Sequence, residues 1–151
     1  MDLLGELRNL VAAFGREQVE YALCGGVALA VHGVPRATQD IDILVRIEQL
    51  DELRAAARSC GFTLQTSAMT FSGSGITLYR FTKIENQQHL MLDALIAGPP
   101  LDTVWETCER LEWDEGVVNV VSRDGLITLK LAAGRPQDLV DVQRLRELKR
   151  D

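Results

Sequence analysis

The stretch Asp40-Ile41-Asp42-Ile43-Leu44-Val45 constrains this chain more than any other. Its apolar residues read as a buried β-strand, yet it contains two aspartates two residues apart. Side chains at i and i+2 share one face of a strand, so both carboxylates project to one side while Ile41 and Ile43 face the core. Two like charges side by side repel, and a strand gains nothing structural from them. A divalent cation removes that repulsion. The plain alternative is an acid pair facing solvent on an exposed sheet face. Taken as a cation site, the pair points to metal-dependent phosphate chemistry. The rest of the chain then has to supply a phosphate cradle, further acids and a basic group.

Candidates for each are present. Residues 21–24 read as a short strand ending on Gly25-Gly26, and residues 27–31 as two helical turns stopped at Gly33 and Pro35. A glycine pair between strand and helix lets phosphate oxygens approach main-chain N–H groups closely, although a tight turn alone also explains it. Residues 89–96 form a further apolar strand carrying one acid, Asp93. Asp93 is the natural third ligand if its strand pairs beside the first. Lys130 sits between Leu129 and Leu131 in a helix that Ser122 caps and Gly134 ends, a position that fits either a phosphate-neutralising cation or a solvated surface residue.

The remaining pattern is α-β-α-β-α followed by strands and closing helices. Amphipathic spacing predicts helices over residues 2–17 and 48–59. Strands are expected over 62–71 and 76–83, joined by the turn Ser72-Gly73-Ser74-Gly75, which lacks the Lys-Ser/Thr and following helix of a P-loop. A helix carrying Val104, Trp105 and Cys108 follows Gly98-Pro99-Pro100, then a turn and strand over 113–121. A last helix after Pro136 is expected to place Leu139, Val140, Val142, Leu145 and Leu148 on one face. The expected class is α/β or α+β, a mixed twisted sheet flanked by helices, in one domain over 1–151.

Composition narrows the function. A formal net charge of −6 argues against a broad basic face for long nucleic acid, while a nucleotide or RNA end is compatible with it. No apolar run approaches the roughly 18 residues of a membrane span, and the N-terminus, with Asp2 and Glu6, is unlike a signal peptide. Three widely spaced cysteines without a C-x-x-C read as reduced packing residues of a cytoplasmic protein.

Gly25-Gly26, thirteen intervening residues, Asp40-Ile41-Asp42 and a later strand aspartate together resemble the signature of the polymerase-beta-type nucleotidyltransferase superfamily. Arg36-Ala37-Thr38-Gln39-Asp40 is similar to the Arg-x-Thr-x-Asp lead-in of small bacterial members. Lys130, Arg135 and Asp138-Leu139-Val140-Asp141 resemble the closing segment of the AbiE-type toxin branch and its minimal relatives. The resemblance spans about residues 20–145. It implies that Asp40, Asp42 and Asp93 hold Mg²⁺, two ions about 4 Å apart, with Mn²⁺ as a substitute. It also implies that Asp93 lies nearest the attacking hydroxyl, that Gly25 and Gly26 cradle the phosphates, that Lys130 neutralises triphosphate charge, and that Arg36 and Thr38 position the metal strand or touch the nucleotide. Asp138 and Asp141 are expected to lock the last two helices by ion pairs, and His32 and His89 to be structural.

The implied reaction moves an NMP from an NTP to a hydroxyl of RNA, protein or a small molecule, with a toxin–antitoxin role as its biological version. A cognate partner protein or a homo-oligomer is expected, and no membrane. Two other readings stand beside it. One is a non-catalytic nucleotide- or partner-binding domain of the same fold. The other is a metal-dependent phosphohydrolase, which needs the acids but not the Gly-Gly turn or the Arg36-Ala37-Thr38 lead-in.

Overall fold

The computed structural model describes residues 1–70, 74–114 and 116–148. The chain opens with helix α1 (Leu3–Arg16), whose Asp2 carboxylate accepts the Gly5 N–H at 3.1 Å as an N-cap. Leu7, Leu10 and Phe14 line its buried face at helical spacing. Strand β1 (Ala22–Cys24) leads directly into helix α2 (Gly25–Val31), followed by β2 (Ile41–Val45) and α3 (Leu50–Ser59). Two short strands, β3 (Leu64–Gln65) and β4 (Met69–Thr70), precede the long hairpin β5 (Thr77–Glu85) and β6 (Gln88–Ile96). Then come α4 (Asp102–Glu106), the hairpin β7 (Glu109–Trp113) and β8 (Gly116–Val120), and helices α5 (Arg123–Ala133) and α6 (Pro136–Glu147).

The strands form one mixed sheet in the order β3-β5-β6-β2-β1-β8-β7, with β4 also paired to β5. β2–β6 and β1–β8 are parallel and the other pairs antiparallel. β2 lies at the centre, which is why Ile41, Ile43, Leu44 and Val45 are fully buried and why its sequence is so apolar. α1 packs with α3, while α5 packs with α2, α4 and α6. The expected mixed sheet flanked by helices is therefore what the chain forms.

Three local expectations differ. The strand expected over 62–71 is broken into β3 and β4, both exposed and both paired to β5. Part of the expected turn Ser72-Gly73-Ser74-Gly75 lies outside the described residues. β7 was not foreseen, because this sheet-edge strand buries none of its residues and shows only Leu111 and Trp113 as apolar positions. On α6, Leu139 and Val140 are exposed. The buried stripe is instead Asp138, Asp141, Val142 and Leu145, an i, i+3, i+4, i+7 set that includes two acids.

Candidate active site

Sheet register assembles the site. Cys24 on β1 is opposite Asp42 on β2, Asp42 is opposite Asp93 on β6, and Asp93 is opposite Arg80 on β5. Cross-strand partners share a face, so these four side chains form one row across the middle of the sheet. The next row on the same face is Ala22, Leu44, Leu95, Leu78 and Met69, an apolar ledge beside the charged row. Asp40 lies just before β2, at the mouth of a cleft of about 580 Å³. Gly25, Gly26, Thr38, Asp42, Asp93 and Lys130 line that cleft, as do Arg36, Arg80 and Arg135. Its volume is within the range of small-molecule sites. A second hollow, of about 480 Å³ beside Tyr21 and Trp105, contains only one acid, Glu20, and is lined by none of these residues.

The acids fall into two classes. Among the described residues, neither Asp40 nor Asp42 has an ion-pair partner. Burial and then the neighbouring charges of Asp93 and Asp40 push the Asp42 carboxyl up to about 7, against the weaker opposing pull of Lys130 and Arg135. Asp40 is raised in the same way, by burial and then by Asp93, with Arg80 opposing. Asp138 and Asp141 behave oppositely. Burial alone pushes both up, but hydrogen bonds and nearby cations outweigh it and hold both below the usual range. Asp138 accepts the Arg135 side chain at 2.7 Å and the Arg135 backbone N–H at 3.1 Å, closing a capping box on α6. Asp141 accepts Gln137 at 3.0 Å and pairs with Arg36.

Lys130 completes that second network. Its buried Nζ stands 3.4 Å from Asp138 Oδ1 and 3.1 Å from Asp141 Oδ2. The expected α5–α6 lock is present, and Lys130 lies inside it. Lys130→Met should therefore destabilise the fold by about 3 kcal/mol, because removing one member of a buried ion cluster leaves the others uncompensated. Urea denaturation measures this; a loss below about 1 kcal/mol would mean that Arg36 and Arg135 suffice for both acids.

The other expected site residues are all placed at the cleft. Gly25 adopts φ +63°, and a Cβ there would stand 2.0 Å from Asp42 Oδ2, so the Asp42 carboxylate lies directly against the Gly25 main chain. A Cβ on Gly26 would stand 2.7 Å from Thr38 Oγ1. Thr38 Oγ1 donates to the Asp40 carbonyl at 3.1 Å, and Arg36 ties the same loop to α6 through Asp141. Arg36 and Thr38 thus position the segment that carries Asp40. His32 bonds the Val121 carbonyl at 2.8 Å.

One site residue was not foreseen. Arg80 Nε and Nη2 donate to Asp93 Oδ1 and Oδ2 at 2.8 and 3.0 Å, a bidentate fork that takes both oxygens. Its signal lies in a two-residue hairpin turn. Asn86 and Gln87 both have positive φ, pairing Glu85 with Gln88. Counting back from Glu85 and forward from Gln88 then brings Arg80 opposite Asp93. As a donor set, three carboxylates on one face suit a hard divalent cation, and the unpaired Asp40 and Asp42 gain most from one. Among the described residues no trio of His, Cys, Asp or Glu already stands within metal-binding reach. Asp93, on the same face, is held by the Arg80 fork.

A family model described as "Nucleotidyl transferase AbiEii toxin, Type IV TA system" matches residues 7–151, nearly the whole chain. The chain belongs to the AbiEii nucleotidyl transferase toxin family. Solved structures agree in fold. A putative nucleotidyltransferase from Thermotoga maritima, TM1012, is 18% identical, covers 96% of this chain and 93% of its own, and superposes with a TM-score of 0.64. ANT(2")-Ia, solved in complex with adenylyl-2"-tobramycin, is 17% identical over 92% of this chain and 84% of its own, with a TM-score of 0.58. JHP933 from Helicobacter pylori is 16% identical over 93% of this chain and 63% of its own, at 0.52. At these identities the likeness is one of fold. No curated protein sequence matches the chain. As a member of the AbiEii family, the chain has a nucleotidyltransferase fold whose cleft opens at the acid row. No described helix is long and apolar enough to cross a membrane.

Proposed function

We propose that this AbiEii-family chain transfers a nucleotidyl group from an NTP to a hydroxyl acceptor, with Mg²⁺ or Mn²⁺ held by Asp40, Asp42 and Asp93. The observation that carries this reading is the Asp42–Asp93 cross-strand pair beside the main chain of Gly25, with Asp42 pushed up to about 7. Such an arrangement is costly as a structural device, whereas the chemistry requires it. The bound cation supplies charge neutralisation of the triphosphate and activation of the acceptor oxygen.

The chain's own groups account for the remaining steps. Gly25 and Gly26 offer side-chain-free backbone to the phosphates. Asp93 accepts the proton of the acceptor hydroxyl. The oxygen then bonds to the α-phosphorus, the bond from that phosphorus to the β-phosphate oxygen breaks, and pyrophosphate leaves with its electron pair. Lys130 and Arg135 both act electrostatically on Asp42, so they contribute positive potential at the same end of the cleft. The family description supports a cognate antitoxin partner, and self-association is the alternative. Calorimetry with each NTP in Mg²⁺ is expected to give binding that Asp40→Ala/Asp42→Ala abolishes in a folded protein. Labelled-NTP assays against bulk RNA, lysate protein and small hydroxyl compounds then identify the acceptor class. Absence of binding by every NTP at millimolar concentration would rule out the proposal, and binding without transfer would favour the non-catalytic domain.

A further inference from the structure

The Arg80–Asp93 fork sets a condition on how a cation enters the site. Both Asp93 oxygens are engaged by one guanidinium, at 2.8 and 3.0 Å, so the fork takes one lone pair of each oxygen and leaves a divalent ion only the remaining ones, beside a positive charge that already neutralises the carboxylate. A divalent ion held by Asp93 would also be repelled by the guanidinium on the same carboxylate. The partners differ in their freedom to move. Asp93 is a short, buried side chain on β6, flanked by β2 and β5. Arg80 has a long stem, and its side chain is one-third exposed to the cleft. If one of them yields, it is Arg80.

We propose that Arg80 is an internal counter-ion that competes with the divalent cation for the charge of Asp93, so that cation binding is weakened until the fork is displaced. This inference rests on the assignment of Asp40, Asp42 and Asp93 as the cation site. Arg80 is a positioning residue here, acting on the cation through Asp93. The fork lowers the site's affinity for a lone cation. An incoming triphosphate offsets that cost, because it brings its own oxygens to the cation and an anionic partner for the released guanidinium. Cation and nucleotide then bind with positive coupling, each strengthening the other.

The test is titration of the full chain with Mn²⁺ alone, without nucleotide, followed by calorimetry or by the loss of the free Mn²⁺ paramagnetic signal. Arg80→Gln is expected to bind Mn²⁺ about tenfold more tightly than wild type, with Arg80→Lys in between, because Lys keeps the charge but loses the fork. A group that merely held Asp93 in place would give the opposite sign, with weaker binding in the variant. Binding by Arg80→Gln that is equal to or weaker than wild type, with Asp42→Asn abolishing both, overturns the counter-ion role and leaves the cation site standing. No Mn²⁺ binding by wild type or Arg80→Gln overturns both. If Arg80→Gln is unstable, Mn²⁺ should raise its thermal midpoint by more than it raises that of wild type; an equal or smaller rise overturns the proposal.

Discussion

Replacing Asp42 by Asn should make the chain more stable at pH 8 while lowering nucleotidyl transfer by about 10³-fold or more, the equivalent of several kcal/mol of cation-mediated stabilisation. The two effects have one cause. The Asp42 carboxyl keeps its proton to about pH 7 in the folded chain, against 3.8 as the ordinary value. Between those limits the folded state binds more protons than the unfolded state, so this group makes stability fall as pH rises from about 4 to about 7. The full shift corresponds to at most about 4 kcal/mol. Asn removes the charge but leaves an amide to be satisfied, so a net gain of about 2 kcal/mol is expected at pH 8, shrinking toward zero by about pH 4. Urea denaturation of both proteins in a chelator, at pH 4 and pH 8, measures it. Saturating Mg²⁺ should erase or reverse the difference, because only the wild type gains by binding it. An Asn variant less stable than wild type at pH 8 in chelator would mean that the Asp42 charge is already compensated.

This trade of stability for a charge cluster explains which parts of the site are legible in the sequence. Asp42 and Asp93 stand out because each interrupts a run that burial otherwise fills with aliphatic side chains, and Asp40 because it stands two residues before Asp42 at the head of that run; a local pattern of that kind needs no tertiary knowledge. Gly25 stands out because strand and helix meet there. Arg80 does not stand out. One charged residue between Tyr79 and Phe81 is ordinary for a strand with one wet face, and its meaning comes only from the register of the β5–β6 hairpin. That register depends on an Asn86-Gln87 turn, whose second residue is not the glycine that usually marks such turns.

Lys130 was legible by half. Its place on a late helix could be read, whereas its engagement by Asp138 and Asp141 depends on how α5 and α6 cross. The same crossing buries two acids of α6 and leaves Leu139 and Val140 exposed. Hydropathy alone puts these the other way round, because it cannot register that Lys130, Arg36 and Arg135 make a buried carboxylate acceptable there.

Gly25→Ala tests the steric basis of the cleft and is expected to be the most damaging glycine-to-alanine change among the described residues. The backbone at Gly25 has φ +63°, a conformation that costs an L-residue about 1 kcal/mol. The added Cβ would also stand 2.0 Å from Asp42 Oδ2 and 2.7 Å from its Cγ. Asp42 cannot simply swing aside, since Cys24 and Asp93 flank it across the sheet and β2 is buried at Ile41 and Ile43. Overpacking of this kind adds about 1–3 kcal/mol, for a total loss of about 2–4 kcal/mol in urea denaturation. Nucleotide binding should be lost with it, because the methyl occupies the main-chain surface proposed for the phosphates. Gly26→Ala gives the contrast. Its Cβ would meet Thr38 Oγ1 at 2.7 Å and Thr38 Cβ at 2.8 Å, but φ there is not positive and Thr38 lies outside the helices and strands, so a cost of about 1 kcal/mol is expected. In an Asp42→Ala background the Oδ2 and Cγ contacts are gone, leaving only the Cβ of residue 42 at 2.8 Å. Gly25→Ala should then cost about 1–2 kcal/mol less than in wild type, a coupling that a double-mutant cycle reads directly. If the two substitutions are simply additive, the damage comes from the backbone at Gly25, and the close approach of Asp42 to the glycine main chain is not what shapes the cleft.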